Sequence, residues 1–169
     1  MPRHALPLAF AGSLALSACA TYTAAPVVAD AGEDDTVYAS SDSFQTVEAR
    51  LRAGIESRPL TLFTVVDHGQ GAREAGTPIG ESKLFLVGNP QVGTPFMLAD
   101  PQMGLHLPLK ILIHEDGDGT HLAYTHPGEA AARHGVAAEV APQIERIHGV
   151  MDGLLSEAAG SSVRVVREP

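Results

Sequence analysis

Two alternating apolar segments, residues 107–115 and 120–125, flank the run Asp116-Gly117-Asp118-Gly119, and this arrangement constrains the fold more than any other part of the chain. Aspartate and glycine supply the backbone conformations of tight turns, so the run reads as a hairpin centred on Gly117-Asp118. That centre sets a register in which Glu115 opposes Thr120 and His114 opposes His121. Strand side chains alternate between faces. Ile111, Ile113, Leu122 and Tyr124 therefore share the core face, and both histidines fall on the wetter one. A calcium-loop reading of the same run fails. It needs another oxygen ligand at the next odd position and a glutamate at the twelfth, where this chain has Thr120 and Pro127.

The elements around the hairpin follow from periodicity. Asp42-Ser43 caps a helix whose apolar residues Phe44, Val47, Leu51 and Ile55 recur at helical spacing, with Glu48 and Arg52 one turn apart and Pro59 as the stop. Residues 60–66 are β-branched and aromatic, a strand that runs into Asp67-His68-Gly69. A short helix over 70–75, a strand over 83–87, a brief helix over 92–98 and a loop from Asp100-Pro101 come next. Pro127 opens a helix that Gly135 closes. The last helix, about 139–158, lines up Val140, Ile144, Ile147, Met151 and Leu154, and tolerates Pro142 in its first turn. Strands alternating with helices, then a hairpin, predict an α+β domain: a mixed sheet with helices packed on it.

The start of the chain carries an address. Leu16-Ser17-Ala18-Cys19 closes an apolar stretch from Ala5 to Ala15, after the weakly basic Met1-Pro2-Arg3-His4. This is the pattern of a bacterial lipoprotein signal peptide. Eleven residues rise only ~16 Å as a helix, too little for a hydrocarbon core of roughly 30 Å. The expectation is export, cleavage before Cys19 and attachment of palmitate-type acyl chains to that residue, the one cysteine present. Two or three acyl chains make a stable anchor. Ala20, rather than aspartate, follows Cys19 and points to the outer membrane, facing the periplasm, over the inner one. Residues 19–41, small and polar with the acidic run Asp30-Ala31-Gly32-Glu33-Asp34-Asp35, read as a tether. A strand over 36–40 joins the tether to a domain over 42–160, with 161–169 as a tail.

Charge excludes some partners. The net charge of −9 becomes −10 when residues 1–18 and their single Arg3 are removed. Such a chain is not built for nucleic acid or for anionic lipid surfaces.

Three constellations are candidates for chemistry. Gly88-Asn89-Pro90-Gln91-Val92-Gly93-Thr94 has the glycine spacing of a phosphate loop, but Thr94 replaces its lysine and Pro95 its metal-binding hydroxyl. It reads as a strand-to-helix turn, with Asn89 and Thr94 as candidate ligand contacts. Asp67-His68 ends a strand, where an aspartate could orient an imidazole, although neighbours on a strand point to opposite faces. The opposed His114 and His121 are candidates for sharing a metal. No complete catalytic set and no cofactor motif is present. The leading expectation is therefore a non-catalytic module binding a small molecule or a protein. The alternatives are an enzyme with one polar site around Asp67-His68 and the Gly88–Thr94 loop, or a metal handler using surface histidines.

The stretches TLFTVVDHGQGAREAG, LFLVGNPQVGTPFMLADPQMGLHLPLKILI and YTHPGEAAARHGV resemble the domain of unknown function 302 family. The Gly88-Asn89-Pro90…Gly93-Thr94-Pro95 block and the Leu107-Pro108-Leu109 strand entry carry most of the match. Asp67-His68…Arg73-Glu74-Ala75-Gly76 and His134-Gly135 add to it. The resemblance covers about residues 42–158. It implies a compact α+β domain able to form a homodimer, and it implies no established activity. His106 is a departure from the family's pattern.

Overall fold

The hairpin forms in the register its turn dictates. In the computed structural model, which describes residues 35–160 and 164–165, His114 lies directly opposite His121 and Ile113 opposite Leu122. The first half of the chain, in order, is β1 (Asp35–Ser40), α1 (Phe44–Glu56), β2 (Thr61–Asp67), α2 (His68–Glu74) and β3 (Ser82–Gly88). There follow α3 (Pro90–Ala99), a 3-10 helix (Pro101–Leu105), β4 (Leu109–Asp116) and β5 (Gly119–Thr125). The last elements are α4 (Pro127–Arg133), α5 (Ala141–Ala159) and the two-residue β6 (Arg164–Val165). The signal-peptide and tether features before residue 35 lie outside the described residues.

The strands form one sheet in the order β2-β3-β4-β5-β1-β6. Every neighbouring pair is antiparallel, which corrects the mixed sheet expected from the alternation of strands and helices. The helix between β2 and β3 does not carry the chain back along the sheet. A parallel neighbour needs a connection that carries the chain back along the strand it has just left. The seven residues of α2 rise about 10 Å, while the seven residues of β2 span about 23 Å. The chain returns at the end where it left, and Asp67 pairs with Lys83. The 3-10 helix doubles back after α3 in the same way, so Val87 pairs with Leu109. α1 crosses over and sets β1 and β2 parallel but separated by β5, β4 and β3, and the connection through α4 and α5 likewise carries the chain from β5 past β1 to β6.

β1 lies between β5 and β6, inside the sheet. The folded unit thus takes in residues that the composition assigns to the tether and the tail. Gly119 closes the hairpin against β1 at φ +137, and a Cβ there would meet the Ser40 carbonyl oxygen at 2.7 Å. Only glycine fits.

α1 and α5 pack against each other, and between them they reach β1, β2, β4 and β5. The face they cover buries Tyr38, Phe85, Val87, Ile111, Ile113, Leu122 and Tyr124 against Phe44, Val47, Leu51, Met151 and Leu154. Ser43 caps α1 through the Thr46 amide, in the position its sequence promised. Glu48 meets Arg52 at 2.7 Å and also Lys83 at 2.7 Å. Partial burial opposes its charge, but the hydrogen bonds from Lys83 and Arg52 win and hold its carboxyl below the usual range. The opposite face of the sheet, with Leu84, Leu86, Leu112, His114 and His121, is partly exposed. No described helix is long and apolar enough to cross a membrane.

Candidate functional site

At the end of the sheet where β3 meets α3, the chain leaves a cavity of about 470 Å³. Its construction is local. The register of β2 slips between Leu62 and Thr64, so Phe63 is the extra residue of a bulge and is aimed away from the ladder. Phe63 lines the cavity and is 53% exposed. Across from it, a cis peptide joins Leu107 to Pro108, and both side chains form wall. Val92, Met97, Ile147, Val150 and Met151 complete an apolar lining, with Arg146 as the one ionisable residue on it. Arg146 is exposed and makes no ion pair among the described residues. The walls suit an apolar body, and the rim suits a negative charge.

Two sequence candidates, Asn89 and Thr94, line this cavity. Asn89 is already occupied. Its Oδ1 accepts from the Gln91 amide at 2.8 Å, capping α3, and its Nδ2 donates to the Pro59 carbonyl at 2.8 Å. It braces the wall. Thr94 is exposed at the edge, with no side-chain hydrogen bond among the described residues. Asp67 and His68 are elsewhere. Thr61 pairs with Gly88 at the cavity end of β2, and Asp67 pairs with Lys83 at the other end, roughly 20 Å along the strand. A single polar site made of Asp67-His68 and the Gly88–Thr94 loop is thus geometrically ruled out. Asp67 caps α2 by accepting from the Gln70 amide at 2.7 Å, and His68 is exposed.

His114 and His121 come together with ring centroids 5.2 Å apart and planes at 19°. The rings stack, and no hydrogen bond joins their nitrogens among the described residues. Nitrogen lone pairs lie in the ring plane, so stacked rings do not aim them at a common point. His121 Nε2 contacts Asp116 Oδ1 at 3.0 Å. Burial, then the neighbouring His121, holds His114 below the ordinary imidazole range.

A second histidine pair escaped sequence reasoning. His134 Nδ1 donates to Asp100 Oδ2 at 2.7 Å, and His134 Nε2 faces His106 Nε2 at 3.2 Å. The rings meet edge to face at 74°, also with centroids 5.2 Å apart. Asp100 sits between α3 and the 3-10 helix, where its other oxygen accepts from the Gln102 amide at 2.8 Å. That amide, then His134, keeps the Asp100 carboxyl low. His106 caps the 3-10 helix and His134 caps α4. Burial, then the charges of His134, Arg133 and Lys110, depresses the His106 imidazole. His106 opens on a second cavity, of about 220 Å³, also lined by Lys110, His126 and Arg133. Among the described residues, no three His, Cys, Asp or Glu side chains gather into a full metal shell.

An antiparallel sheet with helices on one face and a small apolar cavity at one end defines an α+β domain of a recognised kind. The chain belongs to the family described as Domain of unknown function DUF302, which matches residues 36–154. A 109-residue stretch is 39% identical to "Fluoride-specific ion channel FluC 1" of Brucella suis, covering 63% of this chain and 42% of that protein. FluC 1 of Brucella abortus matches at 39% over 40% of its length, as does FluC 2 of Brucella melitensis. The chain thus spans about two fifths of these relatives. The crystal structure of an uncharacterised DUF302 protein from Bacillus stearothermophilus superimposes with a TM-score of 0.68 at 14% identity. It covers 75% of this chain and 99% of that one. At such identity the likeness is one of fold.

Proposed function

We propose that this chain is an exported binding module, held at a membrane by lipid on Cys19, that takes a small amphipathic anion into the cavity beside α3. The cavity carries the reading. Its volume of about 470 Å³ falls in the range of small-molecule sites. Its walls are apolar, and Arg146 offers a charge at the rim. A binding role also fits a site without a nucleophile or a general base.

Anilinonaphthalene sulfonate, an apolar body with a fixed negative charge, is the probe. It should bind saturably to the full chain, and Val150→Trp, which fills the cavity, should abolish that binding. Arg146→Ala should weaken it by up to about fivefold, the worth of an exposed ion pair, and leave the uncharged N-phenylnaphthylamine unaffected. Probe binding that survives Val150→Trp would overturn the reading.

A second reading rests on the relatives, in which a stretch like this one belongs to proteins named as fluoride-specific ion channels. We infer that the domain serves beside an ion channel, and the lipid on Cys19 would keep it at the membrane. One experiment addresses anchor and partner together. In the native host, Cys19→Ala should move the chain from the membrane to the soluble fraction and lower fluoride tolerance. Unchanged fractionation defeats the anchor, and unchanged tolerance after release defeats the channel reading.

A further inference from the structure

We propose that the 220 Å³ cavity between the 3-10 helix, β4 and α4 binds a free tetrahedral oxyanion of the sulfate or phosphate type, held by Lys110, Arg133 and His106. The argument begins with charge. The chain has 20 acidic residues against 11 lysines and arginines, yet no carboxylate lines this cavity among the described residues. Its polar lining is His106, Lys110, Thr125, His126 and Arg133. All five can donate a hydrogen bond, and lysine and arginine can do nothing else. Such a lining suits a ligand that only accepts.

Strand alternation brings the donors together. Ile111 pairs with Tyr124, and both are buried on the core face. Lys110 and Thr125, one residue away on each strand, therefore share the other face. Lys110 makes no ion pair among the described residues. Arg133 meets Glu129 at 3.6 Å with its side chain 58% exposed, and a guanidinium has donors for several partners.

The histidines are prepared in a second way. A carboxylate only accepts, so the neutral His134 ring carries its proton on Nδ1, toward Asp100 Oδ2. Its Nε2 then accepts from His106 Nε2 at 3.2 Å, and one proton lies between the two rings. Nδ1 of His106 is the nitrogen left for a ligand. Burial, then His134, Arg133 and Lys110, disfavours a charge on His106. An anion in the cavity reverses that balance, so His106 takes up a proton and Nδ1–H becomes a further donor. His126 Nδ1 accepts from the Gly128 amide at 3.1 Å, which leaves the hydrogen of its neutral ring on Nε2.

The spread of donors favours an oxyanion over a halide, since separate oxygens can meet donors on separate walls. Lysine serves phosphate as a point charge, and the arginine fork matches its geometry. The net charge of −9 opposes an anionic membrane, so the ligand is the free ion and not a lipid headgroup. This site is independent of the apolar cavity beside α3, with which it shares only Leu109.

The test is calorimetric titration of the full chain with sodium sulfate, against sodium chloride at matched ionic strength, together with NMR titration of the histidine rings. One sulfate per chain is expected, and it should raise the pKa of His106, whose signal is identified by its loss in His106→Gln. Sulfate stays a dianion across that range, so the proton taken up belongs to the protein. The ionisable groups facing His106 are His134 with Asp100 behind it, Arg133, Lys110 and, across the cavity, His126. Lys110→Gln should weaken sulfate about fivefold, the worth of an exposed ion pair, and Arg133→Gln by less. Both residues are exposed, and circular dichroism verifies that the variants fold. The double variant should show no saturable binding, while Arg146→Ala, at the other cavity, should bind as the parent does. Inorganic phosphate should compete, and phosphatidylcholine vesicles containing phosphatidic acid should not. The proposal is overturned by sulfate that binds no better than chloride, by binding that survives the double variant, by an equal loss in Arg146→Ala, or by competition from the vesicles.

Discussion

Two histidine pairs in this domain have the same centroid separation, 5.2 Å, and an aspartate on one ring of each. They differ in everything else that matters for chemistry. His114 and His121 are brought together by the register of one hairpin and stack at 19°. His106 and His134 are 28 residues apart, cap different helices, and point nitrogen to nitrogen at 74°. A pleated pair of strands brings opposed side chains close but projects them in parallel, so it favours stacking. Two chain segments that approach from different directions can bring ring nitrogens edge to edge, within hydrogen-bond reach. Proximity and orientation are separate properties, and only the second links Asp100, His134 and His106 into one hydrogen-bonded chain.

The largest effect expected from this contrast lies on the two aspartates. Asp100→Ala should lower stability by about 1–3 kcal/mol, because the His134 Nδ1–H and the Gln102 amide both lose their acceptor. Asp116→Ala, at the hairpin, should cost less, since its carboxylate is the more exposed of the two. Urea unfolding of both variants makes the comparison, and equal losses would erase the distinction between the pairs.

A smaller effect should appear with pH, and His114 of the hairpin pair contributes to it. Its His114 has a folded-state pKa below the ordinary imidazole value, because burial and then His121 disfavour the charge. The unfolded chain therefore binds that proton more readily. The stabilising contribution is complete above about 6.5 and is lost as pH falls through the folded-state value. Urea midpoints measured at about pH 7.5 and about pH 5.5, either side of that ordinary value, should fall on acidification. His114→Phe, which keeps a ring on the stack without the titration, should fall less. Equal falls would assign the effect to His106 and His126, which burial shifts in the same direction.

Much of the fold was legible because it is written in short-range terms. The Ser43 cap, the Phe44–Val47–Leu51–Ile55 stripe, the Glu48–Arg52 pair and the hairpin register each depend on residues within a turn or two of one another. Strand direction was not legible. Alternation of elements suggests parallel neighbours, and only the geometry of the α2 and α3 connections decides that the chain turns back. The candidate sites divide along the same line. Asn89 and Thr94 were marked as a loop before a helix and do line a cavity, but the cavity exists because Phe63 is bulged out and α5 lies opposite. Asp67-His68 looked like a dyad in sequence, while in space the aspartate is a helix cap. His106 and His134 offered no spacing to read, since two strands and α4 separate them.

By itself the sequence determined most of the helices and strands, though not the 3-10 helix or β6, and also the core face of α1, the hairpin register and membership of the DUF302 family. Periodicity, capping and turn chemistry act over a few residues, so one strand of text carries them. Tertiary structure alone decided the all-antiparallel order, the cavity beside α3 and the meeting of Asp100, His134 and His106. Those depend on distances between segments dozens of residues apart, and such distances are set by how elements pack, not by how they are spelled.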